Sequence, residues 1–249
     1  KIYLFSASDT YLGRVATTDD QGEVAFDLPT GVAFRFRTDI LGGQYWSEGV
    51  TAADDLATVI IDTGGGRLQV TVQADNGTPF AGLSVYLFDE SGRYLGLSQI
   101  TDTDGGAAFE VPDGTYRIRA DYLGYSFWET GIIVTGDTNR ALAIAIQPVA
   151  ITVVGSYQGV DTVLEGIRVH LFSPTGTYLG LSGDTDDQGQ IAFDLPEQAC
   201  MVRADTTGGQ YWSDPFTWQA TTLRIPMADA AVTVTGAGLP AAGVNVYLF

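Results

Sequence analysis

The chain has 249 residues, of which 45% are hydrophobic and 17% charged, enough apolar material for a packed fold and too much for a disordered one. Its 30 acidic residues against 12 basic ones give a net charge of −18, which repels phosphate backbones and anionic membrane surfaces. No apolar run approaches the ~18–20 residues of a membrane-spanning helix, so neither a nucleic-acid partner nor a membrane span is expected.

Lys1-Ile2-Tyr3-Leu4-Phe5 runs directly into a turn at 6–10, without a signal peptide or an initiator Met, and reads as a mature or excerpted piece. The same string then returns as Tyr86-Leu87-Phe88, His170-Leu171-Phe172 and Tyr247-Leu248-Phe249. Tyr-Leu-Gly follows the first three at 11–13, 94–96 and 178–180. Thr-Asp-x-x-Gly-x-x-x-Phe comes next, at 18–26, 101–109 and 185–193. A tryptophan closes each series at Trp46, Trp128 and Trp212. Landmarks recurring in fixed order identify one structural unit written repeatedly.

Inside a unit the period is two. Leu68, Val70 and Val72 alternate with Gln69, Thr71 and Gln73, and Tyr116, Ile118 and Ala120 alternate with Thr115, Arg117 and Arg119. Both segments predict half-buried antiparallel strands. Turn-forming groups such as Asn76-Gly77-Thr78-Pro79 and Pro112-Asp113-Gly114 separate such segments. The pattern predicts an all-β chain of tandem Ig-like, prealbumin-like β-sandwich repeats arranged end to end, each with about seven or eight short strands. The phase divides the chain into 1–66 (lacking the opening strand), 67–147, 148–228, and 229–249 (the opening strands of a further unit). Three short linkers are expected, at 64–66, 147–149 and 227–229, stiff enough to make a semi-rigid string.

The motif Gly77-x-Pro79-x-x-Gly82-x-x-Val85-x-Leu87, then Thr101-Asp102-x-x-Gly105-x-x-x-Phe109, then Pro112-x-Gly114-x-Tyr116, resembles carboxypeptidase-regulatory-like domains and the Cna protein B-type repeats of bacterial surface proteins. That resemblance implies a seven-stranded Greek-key sandwich used as a stalk, spacer or adhesive module outside the cell. One property of the family fails to carry over. Its Lys-to-Asn isopeptide cross-link needs a lysine, and Lys1 is the only one in the chain.

Candidate chemistry is sparse. His170 is the only histidine and stands where the other units have Tyr, and the lone Cys200 occupies an apolar position of a strand. A triad or a histidine-ligated metal site needs partners that are not there. The acidic turn carrying Asp184, Asp186 and Asp187 reads first as an Asx-type turn and second as a weak calcium site, because Leu195 stands where an EF-hand needs Glu. Calcium is therefore the only cofactor considered. Asn76-Gly77-Thr78 is an acceptor for N-linked sugar on a surface loop.

Aromatic pairs recur at Tyr45-Trp46, Phe127-Trp128 and Tyr211-Trp212. Neighbouring strand residues face opposite ways, so one ring of each pair should enter the core and the other should face out, to pack on protein or stack on sugar. Arg37-x-Asp39, Arg119-x-Asp121 and Arg203-x-Asp205 place opposite charges on one outward face, as exposed pairs of small energetic value.

These readings converge on a structural tandem-repeat protein that builds an extracellular or cell-surface filament, fibril or stalk, bacterial by its resemblance and without catalytic activity. Its expected partner is itself, as further repeats of one long chain or, as the lesser option, as head-to-tail protomers that donate a strand. The alternative is a set of adhesin modules that bind glycans, with calcium assisting.

Overall fold

A computed structural model describes residues 1–53, 57–236, 239–240 and 242–246. The fourth copy of the Tyr-Leu-Phe string, at 247–249, lies outside the described residues. Every regular element among the described residues is a strand, and no helix is long and apolar enough to cross a membrane. The chain forms two compact units, Lys1–Ile146 and Gln147–Phe249.

The first unit opens with β1 (Ile2–Ser6), β2 (Tyr11–Ala16), β3 (Ala33–Ile40), β4 (Gly43–Trp46) and β5 (Val50–Thr51). They form one sheet of order β2-β1-β3-β4, with β5 also on β3. Seven more strands follow: β6 (Gly66–Ala74), β7 (Ser84–Asp89), β8 (Tyr94–Ile100), β9 (Gly106–Val111), β10 (Gly114–Tyr122), β11 (Tyr125–Val134) and β12 (Thr138–Ile144). These make two sheets, β11-β10-β7-β8 and β12-β6-β9. The alternation read from the sequence explains how they close. Leu68, Val70 and Val72 of β6 and Ile118 and Ala120 of β10 are fully buried and meet Leu87, Phe109, Ile132 and Leu142 in one shared core. Two half-apolar sheets thus bury their faces against each other as a sandwich.

The second unit repeats the plan with β13 (Ile146–Tyr157), β14 (Val160–Val163), β15 (Arg168–Phe172), β16 (Tyr178–Asp184), β17 (Gln190–Pro196), β18 (Met201–Thr206), β19 (Gly209–Trp212) and β20 (Thr221–Pro226). One sheet has the order β16-β15-β18-β19; in the other, β13 pairs with β14, β17 and β20. Its buried side chains include Ile151, Val153, Leu171, Val202 and Ile225. A short ribbon, β21 (Thr235–Gly236) with β22 (Leu239–Pro240), follows.

Two sequence expectations need correction. The opening strand of each complete copy is not purely antiparallel: β6 runs antiparallel to β9 but parallel to β12, and β13 runs parallel to β20. Period-two alternation reports which side chains face inward and carries no information on the direction of the neighbour. The expected linker at 147–149 is strand instead, because Gln147, Pro148 and Val149 lie within β13 and Val149 is buried.

Candidate functional site

The Thr-Asp-x-x-Gly motif is structural. The Thr101 hydroxyl donates to the Phe80 carbonyl at 2.6 Å and accepts from the Leu83 amide at 2.9 Å, tying down the loop before β7. Thr185 makes the same two bonds to Leu164 and Ile167, and both threonines are buried. The aspartate that follows organises its own turn: Asp19 accepts from the amides of Gln21 and Glu23, Asp102 from Asp104 and Gly106, and Asp186 from Gln188 and Gln190. Within the acidic turn, Asp184 pairs with Arg168 at 3.1 Å and Asp187 is exposed. No group of three or more metal-ligating side chains comes together among the described residues. Asn76 is exposed at its turn, and its side-chain oxygen accepts from the Thr78 amide at 2.9 Å.

Cys200 is buried, and burial pushes its thiol up to about 11, so it stays protonated and unreactive near neutrality. His170 sits 3.3 Å from the Asp205 carboxylate and stacks edge-on against Tyr178, filling the place that Tyr86 holds in the copy before it.

The recurring constellation lies on the outer face of the sheet that all three copies share. Strand register builds it. Arg37, Arg119 and Arg203 stand directly opposite Trp46, Trp128 and Trp212 on one neighbouring strand, and opposite Tyr3, Tyr86 and His170 on the other. Each guanidinium is therefore flanked by rings. Arg37 lies 5.4, 5.1 and 5.5 Å from the ring centroids of Tyr3, Phe5 and Trp46. Arg119 lies 4.6, 5.5 and 5.7 Å from Tyr86, Phe88 and Trp128. Arg203 lies 5.1 and 5.7 Å from Phe172 and Trp212.

The aspartate two residues on pairs with each arginine, at Nε–Oδ1 distances of 2.9, 2.9 and 2.7 Å for Asp39, Asp121 and Asp205; Arg203 donates to both carboxylate oxygens, whereas Arg37 and Arg119 each donate through one terminal nitrogen. The arginine side chains are only 20%, 28% and 20% exposed. The expectation of freely exposed pairs is thus corrected: these cations are held between π-faces and a carboxylate, where cation–π attraction adds to the Coulomb term.

The tyrosine of each Tyr-Leu-Gly completes the cluster. Tyr11, Tyr94 and Tyr178 lie 5.4, 5.4 and 5.5 Å from Phe5, Phe88 and Phe172, and are 47%, 45% and 47% exposed. Trp128 and Trp212 also show much of their surface to solvent, whereas Trp46 is half-buried. The result is a π-rich patch whose central arginine is paired with a carboxylate, joined in the first copy by Arg35, 4.9 Å from the Trp46 centroid and paired with Asp9. It offers stacking and packing surface.

The other members of the aromatic pairs diverge. Phe127 packs against the core of β6–β12, and Tyr211 is half-buried. Tyr45 does not enter a core. Its hydroxyl donates to the Asp113 carbonyl at 2.9 Å, joining the first copy to the second. Asp113 also accepts from the Gly65 amide at 2.6 Å and donates its own amide to the Thr63 carbonyl at 3.0 Å. Leu41 reaches from the β3–β4 turn onto the core of the middle copy. The glycine linker is therefore part of a built joint. Gly65 has φ +90°, and a Cβ there would strike the Val111 carbonyl and Pro112. Beside Tyr45, the buried Tyr116 hydroxyl donates to the Pro112 carbonyl at 3.0 Å; burial first, then Tyr45 and Asp113, push its pKa up to about 12.

Sequence reasoning found the aromatic pairs and the Arg-x-Asp repeats separately. Their union with the Tyr-Leu-Gly tyrosine required the register, although the recurrence of all three motifs in every copy was the available signal.

Residues 67–147 match the model of the carboxypeptidase regulatory-like domain family, which covers the middle copy. Among solved structures, the TIE protein of Bacillus anthracis is 16% identical, with a TM-score of 0.33, covering 91% of this chain and 46% of its own. The minor pilin GBS52 of Streptococcus agalactiae is 14% identical with a TM-score of 0.40, covering 68% of this chain and 100% of its own. The shaft pilin SpaA of Lactobacillus rhamnosus GG is 10% identical with a TM-score of 0.36, over 68% of this chain and 100% of its own. No curated protein matches the chain.

Proposed function

We propose that the chain is a structural tandem-repeat segment of an extracellular, bacterial cell-surface filament, fibril or stalk, in which each sandwich acts as a non-catalytic spacer. The modules are 1–66, 67–147 and 148–228, with 229–249 opening a further one. The observation that carries this reading is the sameness of the copies: the Asp-centred turn and the Arg–aromatic–Asp cluster fall at equivalent positions in all three. Catalysis needs one copy to depart from the others with an acid–base set of its own, whereas a scaffold needs each copy to repeat the last. The joint through Tyr45, Gly65 and Asp113 supports the same reading, because a spacer transmits its geometry through such contacts. Immunogold labelling of intact cells with antibody to residues 67–147 tests it. Label along surface fibres is expected; label confined to the cell interior would contradict it.

A second reading is favoured by the solvent-facing rims of Tyr94, Trp128, Tyr178 and Trp212: adhesin modules that stack sugar rings. Glycan-array binding lost on Trp128→Ala and Trp212→Ala is its expected result. Signal abolished by chelator would assign calcium a part at Asp184, Asp186 and Asp187. Asn76 is the proposed attachment point for N-linked sugar, testable by the mass shift on glycosidase treatment.

A further inference from the structure

Two residues before the arginine of each cluster, the three copies differ. Arg35, Arg117 and Met201 stand at one point of the sheet, opposite Phe5, Phe88 and Phe172. The turn after each phenylalanine has one shape, closed by an amide donating to a carbonyl: Asp9 to Ser6 at 3.0 Å, Gly92 to Asp89 at 3.0 Å and Gly176 to Ser173 at 2.9 Å. Asp9, Gly92 and Gly176 are thus equivalent, and their φ angles are +60°, +88° and +82°.

In two copies the arginine and the acid are present or absent together. The first has both: Asp9 takes a left-handed conformation that suits glycine better, and its carboxylate meets Arg35 at 2.7 Å. Arg35 then lies 4.9 Å from the Trp46 centroid, and Trp46 is half-buried. The third copy, with Met201 and Gly176, has neither. The second keeps the arginine without the acid. Arg117 is half-buried, and among the described residues it has no ion pair and no hydrogen bond. Asp89, in the adjoining turn, is already committed to the Ser91 hydroxyl and to the amide and guanidinium of Arg93. A terminal nitrogen of Arg117 lies 3.7 Å from where a Cβ on Gly92 would stand, and, its chain neighbours aside, nothing else comes within 4 Å of that point. The place that the Asp9 side chain fills in the first copy is open in the second, with a cation beside it.

The rings around that place are open as well. Phe88, opposite Arg117, packs 4.7 Å from Trp128 and 5.4 Å from Tyr94, and both of these are 45% exposed. Trp128 lacks the second arginine that lies on Trp46. A bare indole offers a flat face to the C–H side of a pyranose ring, and a guanidinium offers a fork of donors to a carboxylate. The net charge of −18 repels a run of carboxylates, so the ligand that fits carries them singly.

We propose that the middle copy binds a uronic-acid residue of an otherwise neutral glycan, with its carboxylate on Arg117 at the Gly92 turn and its ring on Trp128. This rests on the sugar-stacking reading above and names the class of sugar. A carboxylate from another protein would satisfy Arg117 but leave Trp128 uncovered.

The test titrates the full 249-residue chain with methyl β-glucuronide, methyl β-glucoside and acetate at one ionic strength, reading the indole N–H signal of Trp128 by two-dimensional nuclear magnetic resonance. The glucuronide is expected to bind at least about tenfold more tightly than either of the others, the size of one hydrogen bond to a charged group. Arg117→Met should bring it down to the affinity of the glucoside. Gly92→Asp, which supplies the acid of the first copy at a φ that Asp9 shows to be tolerated, should do the same and leave glucoside binding unchanged. Far-ultraviolet circular dichroism identical to that of the parent chain shows both variants folded. Equal affinity for the two sugars, or a preference that survives in both variants, would overturn the proposal and leave sugar stacking standing. Acetate binding as tightly as the glucuronide would overturn it in favour of a carboxylate from any source, a protein included. No shift with either sugar would remove stacking at this copy together with the proposal.

Discussion

Arg119 and Trp128 face each other residue for residue across β10 and β11, and the guanidinium carbon lies 5.7 Å from the centroid of the indole. Asp121 grips the same guanidinium from the side, and Tyr86 stacks on it from the opposite strand. The cluster shields Phe88, which is 7% exposed although it belongs to the outer face.

Replacing Arg119 with Met should therefore cost the middle copy about 1–2 kcal/mol, by losing the ion pair with its charge-assisted hydrogen bond and the cation–π contacts together. Arg119→Lys should recover less than half, because an ammonium lacks the flat guanidinium that stacks on the rings. Urea denaturation of the chain, followed by tryptophan fluorescence, reads both.

The joint between the first two copies makes a sharper demand on one residue. Gly65→Ala forces a side chain into a left-handed conformation against the Val111 carbonyl, and should destabilise the chain by about 2 kcal/mol or more. Loss of the Tyr45–Asp113 contact should follow, seen as faster amide exchange at position 65 and at Asp113.

The buried threonines offer a paired comparison. Thr101→Val removes two hydrogen bonds and leaves the Leu83 amide and Phe80 carbonyl without that partner, at a cost of about 1–3 kcal/mol. Thr18→Val, at the half-buried equivalent, should change stability by less than about 0.5 kcal/mol. Thermal unfolding of the two variants checks the contrast.

Tyr116 supplies a pH signature. Its folded pKa of about 12 lies above the ordinary value of 10.0, so the neutral phenol is the form the fold favours. Stability from this group is complete below pH 10.0 and is lost as pH rises toward about 12. Tyr116→Phe should flatten that alkaline limb in melting temperatures taken across the same range.

The fold was legible because its signals are local. Leu68, Val70 and Val72 alternate, and turns such as Asn76-Gly77 punctuate the chain. What stayed hidden depends on which strands become neighbours. The parallel pairing of β6 with β12 has the same alternation as an antiparallel pair. Val149 sits in what looked like a linker and is strand because β13 runs through it. For the candidate site, the aromatic and Arg-x-Asp motifs were each visible. Register alone brings Arg119 between Tyr86 and Trp128, and only the joint shows why Tyr45 differs from Phe127.

The claim that this chain is scaffold, built by repeating one sandwich, meets its most direct test in electron cryo-microscopy of the native material that contains it. The account predicts a continuous fibre whose density resolves into successive two-sheet sandwiches, with every central strand position filled. Separate compact particles, or copies whose strands intermingle in a single core, would contradict it.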